Sequence, residues 1–182
     1  MASKKKPTWK EVKAILTQKD NRELVKLISD LYALGVDNKT FIHSRYSVGK
    51  SILEPYKGII SESLYPDVYK NKPIRLAVGR KAISDYYKAT QDEIGRLELM
   101  MHYLEQGNQF TVDYGDIDES FYSSLESMFE RILSGIKQQP KNIQDEYISR
   151  LENIVESAKD MGWGYYDYIS DIFEEVVENT ST

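Results

Sequence analysis

The chain has 182 residues, of which 41% are hydrophobic and 29% are charged, a composition ordinary for one folded soluble domain. It contains no cysteine, which excludes disulfides, thiolate catalysis and cysteine-ligated zinc or iron–sulfur sites within it. The formal net charge of −5 conceals a strong polarity, because residues 1–90 carry 18 Lys/Arg against 9 Asp/Glu, whereas residues 91–182 carry 6 against 20. Such a distribution indicates association with charged partners, since net charge governs steering rather than fold.

The N-terminal region bears on targeting. It reads MASKKKP, and a polar stretch rather than an apolar one follows the three lysines, so we expect no signal peptide. No apolar run approaches the roughly 18 residues that a membrane span needs. We therefore expect a cytoplasmic protein without membrane partners, with a disordered basic tail over residues 1–7 and a polar tail over residues 179–182.

Signals for helix starts recur along the chain. A capping box combines a short oxygen-bearing side chain with a glutamate three residues later, and each accepts a hydrogen bond from an otherwise unpaired backbone N–H group. That spacing occurs in Thr8/Glu11, Asp20/Glu23, Thr90/Glu93 and Asp116/Glu119, and Asp37 is a further candidate cap without the glutamate.

Apolar residues at helical spacing follow these starts. In the second segment, Leu24, Leu27, Ile28 and Leu31 recur at the positions that form one face of a helix. The combined pattern predicts helices near residues 8–18, 21–34, 38–46, 49–65, 74–89, 91–107, 117–138, 141–161 and 164–178.

Few segments interrupt this pattern. Pro55 is expected to kink or split the fourth helix, because proline removes one backbone hydrogen bond. The segment 65–73 (YPDVYKNKP) is the longest irregular one and the only candidate sub-boundary, while Phe110-Thr111-Val112 is the one alternating stretch and too short for a sheet. We predict an all-α fold with a single domain over residues 8–178. It is an irregular array or bundle of about seven to nine antiparallel helices, HEAT-like at most.

Four carboxylates crowd the segment DYGDIDE at residues 113–119, and three of them, Asp113, Asp116 and Asp118, are candidate partner-binding residues. Clustered carboxylates can hold Ca²⁺ or Mg²⁺, but the glycine and glutamate of a calcium-binding loop are missing at the required positions. Acidic side chains also complement the positive end of a helix dipole, so we favour helix capping and predict no metal.

Basic residues of the N-terminal half offer an electrostatic surface. Lys81 and Lys88 are spaced to share one face of a helix, with Arg80 one step round it. Such a face attracts phosphates, which makes nucleic acid a possible partner. The alternative is that the acidic half covers the basic half.

Candidates for chemistry are few. Tyr86, Tyr87 and His102 could line a ligand pocket between helices, although tyrosine also packs well in a helical core. No second histidine lies three or four residues from His102, and no known catalytic signature appears. We assign no catalytic residues and expect no cofactor.

Two stretches, 24–46 (LVKLISDLYALGVDNKTFIHSRY) and 81–130, resemble a widespread bacterial family of small helical proteins of unknown function. The phrase FTVDYGDIDESFYSSLESMF is the most specific part, and the resemblance covers roughly residues 8–140 in order. The resemblance implies a cytoplasmic bacterial protein with no assigned activity. It also implies that the loop from Asp113 to Tyr122 either binds a partner or fixes a tight helix junction, and we favour the junction.

Three functions remain open on sequence alone. The leading one is a non-enzymatic protein-interaction or scaffold module whose oppositely charged halves bind a partner protein or a second copy. The alternatives are a nucleic-acid-associated protein that uses Arg80, Lys81 and Lys88, and a small-ligand binder or enzyme with a site between helices.

Overall fold

The structure, a computed structural model, describes residues 6–49 and 51–180, with side chains as far as residue 177 at the C-terminal end. This part of the chain is all-helical and has no strand, which confirms the predicted fold class. Its helices are α1 (Trp9–Leu16), α2 (Asn21–Leu34), α3 (Val36–Arg45), α4 (Glu54–Leu64), α5 (Leu76–Thr90), α6 (Glu93–Tyr114), α7 (Glu119–Ile136), α8 (Lys141–Ser157) and α9 (Tyr165–Thr180). Within the same residues, no helix is long and apolar enough to cross a membrane.

Helices α4 to α9 form an up-and-down bundle around α6. Helix α6 packs against α4, α5, α7 and α8, and α9 closes the bundle against α7 and α8. One continuous core runs through these helices, with fully buried residues such as Ile60 on α4, Leu104 on α6 and Leu125 on α7. The long apolar stripes of α7 and α8 are therefore buried inside the bundle.

The first three helices lie outside this core. Helix α2 packs against α3, and α3 packs against α5 on the side of the bundle. Neither α1 nor α2 has a buried residue, and Ser44 is the buried residue of α3. Its hydroxyl donates a 3.2 Å hydrogen bond to Tyr56 of α4, which fastens α3 to the bundle.

Two predicted caps are confirmed at the N-terminal end. The backbone N–H of Thr8 donates to the Glu11 carboxylate at 2.6 Å. In α2 the box is reciprocal, because the Glu23 N–H donates to Asp20 at 2.8 Å and the Asp20 N–H donates to Glu23 at 3.1 Å.

Two other predicted caps are wrong by two residues. Helix α6 is capped by Asp92, whose carboxylate accepts from the Gly95 N–H at 3.0 Å, and not by Thr90, which is the last residue of α5. Helix α7 is capped by Asp118, which accepts from the Phe121 N–H at 2.8 Å, and not by Asp116. In both cases the later of two oxygen-bearing side chains forms the cap, because the earlier one is engaged elsewhere.

Three further expectations are corrected. Pro55 neither kinks nor splits α4, because it lies in the first turn, where no N–H donor is needed. Asp37 is not a cap but a first-turn residue, since α3 begins at Val36. Helix α6 continues through residues 110–112 to Tyr114.

The predicted loop at residues 65–73 joins helices that share the core. It contains a single 3₁₀ turn at Val68–Lys70, whose start is capped by Asp67. On its far side, the Arg75 N–H donates to the Ser63 carbonyl at 2.8 Å. Helix α4 before the segment packs against α5 and α6 after it. The possible sub-boundary stays a prediction.

The predicted tails are only partly described. Residues 1–5 of the basic tail and residues 181–182 of the polar tail lie outside the described residues. Helix α9 continues through residue 180, two residues into the predicted polar tail.

Candidate functional site

The structure brings two of the three predicted basic residues together. The ammonium groups of Lys81 and Lys88 both pair with the Asp85 carboxylate, the second at 3.5 Å, and Lys81 also lies 3.8 Å from Asp37. Arg80 lies apart from them, since its guanidinium donates to Ser124 of α7 at 2.5 Å. The two lysines thus share their charge with neighbouring carboxylates.

A cavity of about 430 Å³ opens beside these lysines, between α3, α4 and α5. Its lining combines apolar side chains with charged ones, namely Phe41, Tyr56, Ile59 and Val78 with Asp37, Lys81, Asp85 and Lys88. The two lysines and the two carboxylates balance in formal charge.

The three predicted carboxylates each have local partners. Asp113 accepts from the Tyr65 hydroxyl at 2.7 Å, Asp116 accepts from the Tyr122 hydroxyl at 2.6 Å, and Asp118 caps α7. Asp116 also accepts from the Gly162 N–H at 3.1 Å, so it joins the α6–α7 loop to the α8–α9 turn. Among the described residues, no group of three His, Cys, Asp or Glu side chains could hold a metal ion.

These hydrogen bonds keep the carboxylates ionised. The Tyr65 hydroxyl, followed by Gln109, lowers the pKa of Asp113, and the Tyr122 hydroxyl, followed by the Gly162 N–H, lowers the pKa of Asp116. Ser120 and the Phe121 N–H lower the pKa of Asp118. The end of α6 is therefore fixed in place and negatively charged.

The predicted pocket residues are separated. Tyr86 is fully buried in the core, where its hydroxyl donates to Asp92 at 2.6 Å. The ring of Tyr87 is half-buried under the Arg96 guanidinium, at 4.6 Å. His102 faces α4, where its Nε2 lies 2.8 Å from the Ser61 hydroxyl. The structure does not place these three side chains around one cavity.

A half-buried polar network that sequence reasoning missed joins α4, α6 and α8. Glu98 at its centre accepts from Lys57 at 2.6 Å and from Arg150 at 2.6 Å, through different oxygens. The same Arg150 donates to Glu105 at 2.8 Å. Glu98, His102 and Glu105 lie on one face of α6, but their partners are more than 40 residues away along the chain, so no local spacing reveals the network.

The electrostatics of the network are self-contained. Burial alone would raise the pKa of Glu98, but hydrogen bonds from Arg150 and Lys57 outweigh it and hold that pKa below the ordinary range. Burial, followed by the charge of Lys57, lowers the pKa of His102. The uncharged His102 imidazole can exchange a proton with the Ser61 hydroxyl beside it. The two cations, Lys57 and Arg150, neutralise the two carboxylates, Glu98 and Glu105. The network therefore links three helices without a net charge.

The most unusual feature of the molecule is the exposed apolar face of its first two helices. We call it the N-terminal surface and define it as Trp9, Val12 and Ile15 of α1 with Leu27, Ile28, Leu31 and Leu34 of α2. All seven side chains are exposed, from 39% for Val12 to 76% for Leu34. Single exposed apolar residues are ordinary, but several on one helix face, such as Leu27, Leu31 and Leu34 of α2, are typical of an interaction site.

A groove continues this surface between α2 and α3. It measures about 570 Å³ and is lined mainly by Ile28, Leu31, Phe41 and Ile42. Arg45 stands at its edge, with its guanidinium over the Phe41 ring at 5.2 Å and donating to the Lys88 carbonyl at 2.5 Å. The groove is therefore apolar at its base and has a fixed cation at one side.

Charged side chains of both signs surround the N-terminal surface. Lys10 and Lys13 of α1, and Arg22 and Lys26 of α2, form no ion pair within the described residues. Residues 9–34 nevertheless carry five Lys/Arg against four Asp/Glu, because a carboxylate that caps a helix keeps its charge. The character of the surface is therefore set by its apolar side chains, not by an excess of one charge.

Comparison of the chain with protein-family models, with curated proteins and with solved structures finds no match. The resemblance described above for residues 8–140 stays a prediction.

Proposed function

We propose that this protein is a non-enzymatic interaction module that binds a partner protein through the N-terminal surface. The observation that carries the proposal is the face of α2, where Leu27, Leu31 and Leu34 recur at helical spacing and remain exposed. Most of the stability of a helix in a protein comes from packing an apolar face, and α2 packs only partly, against α3. Full burial of each such side chain is favourable by about 1.5–3 kcal/mol, and a bound partner would provide that burial.

The groove between α2 and α3 indicates how a partner would bind. An amphipathic helix lays apolar residues at positions i, i+3, i+4 and i+7 into such a groove. The best-fitting partner segment is therefore an amphipathic helix.

Nucleic-acid binding has less support. Arg80 donates to Ser124 of α7, and Lys81 and Lys88 are paired with Asp85. Affinity for nucleic acid comes from cations that replace the counterions of the phosphates, and these two lysines already have a carboxylate partner.

A displayed library of helical peptides tests the proposal. The full-length protein is used as bait, and selected peptides are measured against L27E/L31E and against S29E/A33E. Both variants add two charges to α2, but only the first places them on the apolar face. We expect enrichment of amphipathic peptides whose affinity falls at least about tenfold with L27E/L31E and is unchanged with S29E/A33E.

Two results would count against a docking function. One is the absence of any enriched peptide. The other is equal binding to wild type and L27E/L31E, provided that circular dichroism shows both to be folded.

A further inference from the structure

We infer that a small cavity between α5 and α7 binds the phosphoryl group of a phosphate monoester, held by Arg80 and Arg131 together. This site is separate from that of the proposed function, because none of its residues belongs to the N-terminal surface. Two guanidinium groups line the cavity, and neither has a carboxylate partner within the described residues.

The cavity measures about 150 Å³ and is lined by Arg80 of α5 and by Ser124, Ser127, Met128 and Arg131 of α7. The two serines and Arg131 follow the spacing i, i+3 and i+7, so they share one face of α7. Ser127 and both arginines are exposed, which leaves their donors accessible from solvent. Drug-sized ligands occupy pockets of roughly 300–1,000 Å³, so this cavity suits a single small group.

The fold fixes the position of Arg80 beside this face of α7. Its guanidinium donates to the Ser124 hydroxyl at 2.5 Å, and that hydroxyl lies 2.8 Å from the hydroxyl of Tyr103. Tyr103 is fully buried on α6, so it connects the cavity to the core of the bundle. A guanidinium has several N–H donors, and the bond to Ser124 uses only one of them. The others are left for a ligand.

The lack of a carboxylate partner is unusual for Arg131. Residues 91–182 contain six Lys/Arg against 20 Asp/Glu. Four of these six cations form ion pairs, namely Arg96, Lys141, Arg150 and Lys159. Arg131 forms none within the described residues, and the lining that it shares with Arg80 contains no Asp or Glu. Like charges that line one cavity repel each other, so a bound anion would relieve this repulsion.

The chemistry of the donors favours a phosphoryl group. Guanidinium groups form paired, charge-assisted hydrogen bonds with carboxylates and with phosphates. A phosphate monoester presents three acceptor oxygens and carries a charge of about −1.5 to −2 at pH 7. It therefore has enough oxygens for both arginines and for Ser127, and enough charge to balance two cations. A carboxylate has fewer oxygens and a single charge, so it would leave part of this donor set unused.

A titration of the full-length, ¹⁵N-labelled protein with inorganic phosphate tests the site. At constant ionic strength, the Nε–H signals of Arg80 and Arg131 report contact with the anion, and their dependence on concentration gives the dissociation constant. R80Q/R131Q removes both cations. R22Q/R75Q makes the same change in net charge at two exposed arginines that do not line the cavity. R80K/R131K keeps the charge but loses the planar fork of donors.

We expect saturable shifts of both arginine signals in the wild type. Affinity should fall at least about tenfold in R80Q/R131Q and change less than about twofold in R22Q/R75Q. R80K/R131K should bind more weakly than the wild type, and acetate should bind the wild type more weakly than phosphate does. Circular dichroism checks that each variant is folded. If R80Q/R131Q does not fold, R131Q alone replaces it, because Arg131 forms no ion pair within the described residues.

A second titration separates two sources of the phosphoryl group. A short peptide that contains phosphoserine is compared with inorganic phosphate and with the same peptide without the phosphate. Binding of the phosphopeptide at least about tenfold tighter than that of phosphate would support a phosphorylated protein as the source. Equal affinities would support a small phosphate ester.

Three results would overturn this assignment: no saturable shift of Arg80 or Arg131 with phosphate, equal affinity of the wild type and folded R80Q/R131Q, or acetate bound as tightly as phosphate. All three concern the cavity between α5 and α7 and leave the N-terminal surface untouched. The interaction module is therefore tested separately, by the displayed peptides and L27E/L31E.

Discussion

At the scale of single residues, the buried tyrosines show how the core is connected to its helix caps. The Tyr86 hydroxyl donates to Asp92, whose other oxygen caps α6, and the Tyr122 hydroxyl donates to Asp116. Tyr165 is equally buried, but its hydroxyl has no hydrogen-bond partner among the described residues. A buried polar group without a partner costs stability, whereas a paired one contributes to it.

This contrast predicts opposite outcomes for two chemically identical substitutions. Tyr165→Phe removes an unpaired hydroxyl and should leave the free energy of unfolding unchanged or raise it by up to about 1 kcal/mol. Tyr86→Phe removes a bond to a cap and should lower it by about 1–2 kcal/mol. Urea denaturation of both variants provides the measurement, and a larger loss in Tyr165→Phe would show that its hydroxyl is satisfied.

Two helical glycines give a second residue-scale prediction. A methyl group at Gly95 would collide with the hydroxyl of Tyr86 and the carboxylate of Asp92, whereas one at Gly58 would meet nothing within 4 Å. Gly95→Ala should therefore destabilise the fold by about 1–3 kcal/mol. Gly58→Ala should stabilise α4 by about 0.4–1 kcal/mol, because alanine restricts the unfolded chain. Thermal unfolding of the pair is the test, and equal shifts would contradict this packing.

At the scale of helices, local sequence signals predict positions well and ends less well. The stretches TQDE and DIDE at the starts of α6 and α7 each offer two Thr or Asp side chains as candidate caps. The structure uses the second, because Thr90 bonds back to the Tyr86 carbonyl and Asp116 binds Tyr122 and Gly162. The Thr90 bond lies within the last turn of α5, whereas Gly162 is distant in sequence from Asp116. A spacing rule that considers only a cap and its glutamate contains neither bond.

The end of α6 was mispredicted for a related reason. The residues Phe110-Thr111-Val112 favour a strand by propensity, yet Phe110 and Thr111 are buried in the helix. Phe110 packs edge-on against Tyr65 at 5.7 Å, and Thr111 hydrogen-bonds to Met161, 50 residues later. Burial against distant elements outweighs local propensity here.

The assignment of the α7 cap is testable by itself. Asp118→Ala removes the acceptor for the Phe121 N–H and should cost about 1 kcal/mol of stability. Asp118→Asn keeps a good cap and should cost much less. Chemical denaturation distinguishes them, and equal losses would mean that the negative charge, not the cap, is what matters.

The network on α6 predicts a pH dependence. His102 has a pKa below its ordinary value of 6.5, so the unfolded chain binds a proton at a higher pH than the folded one. Stability from this group is therefore full above pH 6.5 and is lost as the pH falls through the folded pKa.

Urea denaturation between about pH 7 and pH 5 measures this loss. We expect His102→Gln to lose less stability over that interval than the wild type, because it has no imidazole to titrate. Ser61→Ala, which keeps the histidine, should retain the dependence. A wild-type profile that matches His102→Gln would show that another group is responsible.

At the scale of the whole molecule, the sequence shows a basic half and an acidic half, but it does not show which helix faces are covered by other helices. The apolar spacing in α2 correctly predicts an amphipathic helix. The same spacing would also be found in a helix whose apolar face is buried in a core. Leu27 and Leu31 are exposed because α2 packs mainly against α3 and has no buried residue. Which surfaces remain open depends on the arrangement of all nine described helices.

This arrangement predicts uneven stability. Backbone amides of α1 and α2 should exchange with solvent much faster than those of α6, since neither helix has a buried residue and α6 has many. Hydrogen exchange followed by mass spectrometry would measure both. Exchange in α1 and α2 should slow when a partner binds, and protection equal to that of α6 in the free monomer would contradict this structure.

The central position of α6 also has a consequence for the order in which the chain is made. Its Leu97 lies against Gly135 of α7, and its Asn108 binds Ser157 of α8, so both contacts must wait for later residues. Synthesis at about 5–20 residues per second leaves those faces uncovered for seconds, whereas collapse of short segments takes about microseconds. The helix that holds the finished bundle together therefore keeps part of its surface open to chaperones and to neighbouring chains until its later partners have been made.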